Sequence, residues 1–149
     1  QFADEQQLAR WSKIAHVREH LERKRREIAD DNSKLGADAN VLGNGRRLTN
    51  IGTFRAYCVS YLKTHPHIHQ EMTQLVRQLQ PTEHGLPLEI YAFVNDTNWG
   101  FYEGVQSDLF DHLFAVAKVF EITSPVVMIV SSPSLPSIAA ARARARSAG

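Results

Sequence analysis

The chain has 149 residues, 43% of them hydrophobic, enough for one compact domain with appendages and too apolar for global disorder. Its 17 Lys and Arg against 16 Asp and Glu leave a formal charge of +1, which marks the whole neither as a nucleic-acid binder nor as an enzyme of acidic substrates. The single cysteine excludes an internal disulfide framework, and no apolar run approaches the ~20 residues needed to cross a bilayer. No signal peptide is visible. The chain opens Gln1-Phe2 without a methionine, as expected of a piece of a longer polypeptide.

From about Asp4 to Asn32 a sparse apolar stripe (Leu8, Trp11, Ile14, Val17, Leu21, Ile28) predicts helix with a break near Ser12. In the charged run ERKRRE and its flank, Glu19–Arg23 and Glu22–Arg26 stand at the favourable i,i+4 spacing. The interleaved glutamates make this a solvated face rather than a contact for nucleic acid or anionic lipid. SKLGADANVLGNG reads as a loop. Asn50 is a natural N-cap for a helix carrying Ile51, Phe54, Cys58, Tyr61 and Leu62 on one side, and Pro66 ends it near Thr64. Within that pattern Cys58 reads as a buried, inert thiol.

Met72, Leu75, Val76 and Leu79 match helical spacing, yet the run is short and abuts the turn PTEHG. Residues 71–80 are therefore expected as a strand, the hairpin partner of LPLEIYAFV. That second strand alternates Leu86, Leu88, Ile90, Ala92 and Val94 with Glu89, Tyr91 and Phe93. After NDTNWG, the residues Tyr102, Val105, Leu109, Leu113, Val116 and Phe120 predict a long amphipathic helix, and VVMIV at 126–130 a short buried strand. Residues 132–149 read as a low-complexity basic tail with Arg142, Arg144 and Arg146, expected to be disordered. Helix, strand, strand, helix, strand gives an α+β class: a ferredoxin-like module lacking its leading strand, with an N-terminal helical insertion.

Few residues invite chemistry. His65, His67, His69 and Glu71 alternate, as metal ligands on one strand face would. Pro66 interrupts them and no partner stands elsewhere at ligand spacing, so a helix-to-strand connection is the better reading. Arg46 and Arg47 precede a helix N-terminus, but GNGRRLTN is no phosphate loop, and both are expected to anchor a loop together with Asn50. Asp108 and His112 stand at i,i+4, the spacing of a surface pair, with Asp111 beside them. Asn95-Asp96-Thr97 matches a glycosylation sequon by pattern only. No nucleophile with a paired base can be picked out, so no catalytic residue, cofactor or metal is assigned.

The stretch from NGRRLTNIGTFRAY through THPHIHQEM, VRQLQPT and GLPLEIYAF to DHLFAV closely resembles the cytoplasmic region of miniconductance mechanosensitive channels, the YbdG-like branch of the MscS superfamily. The likeness runs from about Phe2 to Phe120, and the segment before Asn32 resembles that branch's helical insertion. It implies a non-enzymatic part of a channel of the bacterial inner membrane that opens under bilayer tension in osmotic stress. This part would face the cytoplasm in a homo-oligomeric cage, a heptamer by superfamily, whose transmembrane helices lie outside this chain. On that reading residues 1–43 are the insertion and its loop, 44–131 the α/β module and 132–149 the tail. Past Phe120 the likeness weakens. The resemblance also implies that the HPHIH turn is an ordinary link without metal.

A second reading is a stand-alone ferredoxin-like module that recruits an anionic partner through Arg46, Arg47 and the ARARAR segment. Tyr91 and Phe93, on the strand face opposite Leu88, Ile90 and Ala92, are expected with Trp99 at a subunit or domain interface. The alternative sets the two aromatics in the main core.

Overall fold

The computed structural model describes residues 1–122 and the backbone of residues 126–131. The chain runs α1 (Glu5–Trp11), α2 (Ala15–Ser33), α3 (Asn50–Thr64), β1 (Leu75–Gln78), β2 (Leu86–Tyr91), α4 (Trp99–Ala117), a 3-10 turn (Lys118–Phe120) and β3 (Val126–Ser131). This is an α+β architecture. The expected break near Ser12 is present: Ile14, extended at φ −81°, separates α1 from α2. Asp4 opens α1 with a capping box, its carboxylate accepting from the Gln7 N–H and the Gln7 side chain accepting from the Asp4 N–H. The low-complexity tail at 132–149 lies outside the described residues.

The sheet has the order β1-β2-β3. β1 pairs antiparallel with β2, setting Leu75 opposite Tyr91 and Arg77 opposite Glu89, whose side chains form a cross-strand ion pair. β3 pairs parallel with β2, from Leu86–Val126 to Tyr91–Ser131. The strand expected over 71–80 is shorter than its pattern, spanning Leu75–Gln78, and the residues before it are tied by side-chain amides to the preceding segment. Gln70 Nε2 donates to the Leu62 and Ile68 carbonyls and Gln74 Nε2 to the His69 carbonyl. The second strand also stops early, at Tyr91. Beyond it, residues 93–95 pair with the histidine segment: His69 N–H donates to the Phe93 carbonyl at 2.8 Å and Asn95 N–H to the His67 carbonyl at 2.9 Å.

The chain divides into two compact units, Gln1–Tyr61 with Leu113–Thr123, and Leu62–His112 with Ser124–Gly149. In the first, Phe120 is fully buried, with ring centroids 5.3 Å from Trp11, 5.8 Å from Phe54 and 5.6 Å from Tyr57. Leu8, Val17, Leu21, Cys58 and Leu113 complete that core. In the second, Leu62, Ile68, Leu88, Ile90, Ala92, Val105 and Leu109 are buried. Among the described residues no helix is long and apolar enough to cross a membrane.

Candidate functional site

The loop after α2 is closed by side chains reading its backbone. Asn32 clamps Arg46 on both sides: its amide donates to the Arg46 carbonyl at 3.0 Å and its Oδ1 accepts from the Arg46 N–H at 2.7 Å. This contact needs glycine at position 45, where φ is +71° and an added Cβ would stand 2.5 Å from the Asn32 Oδ1. The Arg46 guanidinium pairs with Glu27 and Asp31 of α2. These carboxylates raise the Arg46 pKa, Asp31 foremost, while hydrogen bonds from Lys24 and then Arg46 lower that of Glu27. Arg47 donates to the Ala39 carbonyl from a terminal nitrogen, and its buried Nε has no partner. Both arginines thus bind their own chain. A cleft of about 290 Å³ beside them is bounded by Leu8, Arg25, Ile28, Asn32, Arg46 and Arg47.

Asn50 does not cap α3. It is the first residue inside α3, with a relative exposure of 2%, and its amide donates to the Phe120 carbonyl at 2.9 Å. The cap belongs to Thr49, whose hydroxyl accepts from the Gly52 N–H at 3.1 Å. A buried amide finds better partners in the carbonyls that end the 3-10 turn than in its own helix terminus. Glu121, next to those carbonyls, sits in the left-handed region at φ 53° and is held by Gln7 (2.6 Å) and Arg10. The Asp4-x-x-Gln7 spacing was a visible cue for the capping box, whereas nothing local pointed from Gln7 to Glu121. Cys58 is fully buried, and burial pushes its thiol pKa up to about 12, the inert state expected of it.

In the second unit the strand faces separate as the alternation predicts. Leu88, Ile90 and Ala92 are 0%, 0% and 4% exposed, so the aliphatic set is the core face. Tyr91 and Phe93 are half-buried and meet edge to face at 5.6 Å. Trp99 is 60% exposed at the start of α4 and leans on Tyr102 at 6.3 Å. Phe101, also exposed, meets the His67 ring at 5.0 Å.

Ile68, buried, is bridged to Val94, and its neighbours His67 and His69 therefore turn to the opposite side. His65 lies within reach of the charges of His67 and of Asp108 and His112 of α4. Burial lowers the His65 pKa, His67 and His112 lower it further, and Asp108 opposes them. That grouping was invisible in the sequence, since it joins residues over 40 positions apart. Among the described residues no three His, Cys, Asp or Glu side chains are grouped as a metal site requires. Asn95 of the sequon pattern donates its amide to the Pro66 carbonyl at 3.1 Å, which ties the same segment down.

No known protein-family model matches the chain, and no solved structure matches it.

Proposed function

We propose that this chain is the cytoplasmic cage portion of a tension-gated channel of the miniconductance, YbdG-like branch of the MscS superfamily, acting in the osmotic stress response. The observation that carries this reading is the long specific likeness. Its runs RRLTNIGTFRAY and GLPLEIYAF fall on the anchored start of α3 and on the central strand β2. In this role the chain has no catalytic duty. It assembles with further copies, a heptamer by superfamily, and its membrane-crossing helices lie elsewhere in the polypeptide. The finer fold is a ferredoxin-like layer without its leading strand. In a complete layer that strand would lie antiparallel between β2 and β3, which pair directly in this chain.

Tyr91, Phe93 and Trp99 are proposed as the contact residues, because partly or largely exposed aromatics suit the core of an interface. Recruitment of an anionic partner by Arg46 and Arg47 gains no support, since carboxylates and a carbonyl of the same chain already occupy both. Reading the coding sequence upstream of Gln1 tests the proposal. Several apolar spans of ~20 residues are expected there. A soluble catalytic domain in their place would overturn it.

A further inference from the structure

Of the chain's six asparagines only Asn44 is followed by glycine, and it stands between two, Gly43 and Gly45. Both glycines hold left-handed backbone, at φ +99° and +71°. They lie in the loop after α2, next to Leu42, which is 72% exposed. Among the described residues the Gly45 N–H forms no hydrogen bond, so the fold leaves its nitrogen unengaged. The Asn44 side-chain amide donates to the Asp38 carbonyl at 3.0 Å, an exposed bond that opens at little cost.

We propose that Asn44-Gly45 is a site of spontaneous isoaspartate formation, and that the product undoes the clamp between Asn32 and Arg46. Swung off the Asp38 carbonyl, the Asn44 side chain brings its Cγ to the Gly45 nitrogen. That nitrogen gives its proton to hydroxide and bonds to Cγ, and the side-chain nitrogen leaves as ammonia after taking a proton from water. Water then opens the five-membered succinimide. Opening at one carbonyl gives aspartate; opening at the other gives isoaspartate, whose main chain is longer by one methylene.

The remaining asparagines are held away from this chemistry. Asn32 lies within α2, and Asn50 is buried with its amide on the Phe120 carbonyl. Asn40 precedes Val41, whose N–H is donated to the Asp38 carbonyl at 3.3 Å. Asn95 and Asn98 precede Asp96 and Trp99, whose side chains crowd the nitrogen, and both asparagine side chains are hydrogen-bonded to backbone. The fold also makes the product costly to the loop. At Gly45 an added Cβ would stand 2.5 Å from the Asn32 Oδ1, so there is no slack for a longer backbone. The next residue is Arg46, whose N–H and carbonyl Asn32 binds. An extra methylene ahead of Gly45 shifts that backbone and breaks both bonds.

The whole chain is incubated at mildly alkaline pH, folded and in urea, and its tryptic peptide 35–46 is followed by mass spectrometry, fragment ions separating Asn44 from Asn40. Isoaspartate is counted by transfer of a labelled methyl group with an isoaspartyl carboxyl methyltransferase. In the folded chain Asn44 should convert about tenfold faster than any other asparagine, about 1.4 kcal/mol in barrier. The rate should rise with pH, and isoaspartate should be among the products. N44Q, which would need a six-membered ring, should lose the signal. In the aged chain, hydrogen exchange at the Arg46 amide should quicken about tenfold as the clamp opens. Conversion confined to urea, or no faster at Asn44 than at Asn40, overturns the site. Aspartate without isoaspartate overturns the ring route, and unchanged Arg46 exchange in the aged chain overturns the loss of the clamp.

Discussion

The two units solve the same problem in opposite ways. The unit built on α1, α2 and the start of α3 turns its polar groups inward upon itself. Asn32, Arg46, Arg47 and Asn50 all bind backbone or carboxylates of that unit, and three aromatic rings close around Phe120. The unit built on the sheet buries Leu88, Ile90 and Ala92 and leaves Trp99, Phe101, Tyr91 and Phe93 wholly or partly open. The charges divide likewise: 12 Lys and Arg with nine Asp and Glu over residues 1–61 and 113–123, against two and seven over 62–112. On the proposed reading the first unit is scaffold and the second surface, although Phe2, Leu42 and Phe114 are open in the first unit as well.

The sharpest way to break that contrast is to cut the aromatic hub. Phe120→Ala should cost about 3–5 kcal/mol of unfolding free energy by urea titration, while Trp99→Ala should stay within about 0.5 kcal/mol. Similar losses in both would remove the distinction between scaffold and surface. Asn50→Ala comes next. It removes the buried donor to the Phe120 carbonyl and should cost about 1–3 kcal/mol, against about 1 kcal/mol for loss of the Thr49 cap. A larger loss in the Thr49 variant would return the capping role to the centre of that helix start.

Replacing Tyr91 and Phe93 together by serine tests the surface itself. Their half-burial predicts about 1–2 kcal/mol lost from the isolated chain, with a greater loss in assembly of the complete channel, followed by size-exclusion chromatography. Unchanged assembly with a collapsed melting temperature would move both residues into the core. The smallest effect is on pH. His65 and His20 both have pKa values lowered from 6.5, chiefly by burial, so the native state binds fewer protons there than the unfolded chain. Their contribution is full above pH 6.5 and is lost as pH falls through the lower native values. Unfolding free energies measured between pH 8 and 5 should therefore decline at the acid end, and His65→Gln should flatten part of that decline.

Periodicity made the helices and the alternation along β2 legible, and the turn PTEHG overrode a helical spacing to give the hairpin, because each depends on neighbours in sequence. The strand ends were not, since residues 93–95 pair with the distant histidine segment instead of continuing the hairpin. Asn50 was misread as a cap for a related reason: its partner carbonyl lies 70 residues away, and no local rule weighs that bond against a helix terminus. The partners of Arg46 and Arg47, namely Glu27, Asp31 and the Ala39 carbonyl, had to be seen in the fold. Gathering His65, His67, Asp108 and His112 likewise required the chain to bring α4 beside the turn after α3.

Patch-clamp recording from membranes holding the complete gene product, with suction raised in steps, tests the channel reading most directly. The account predicts small single-channel currents whose open probability rises with tension and which vanish when the gene is deleted. Tension-independent current, or none in membranes where the protein is present and assembled, would contradict it.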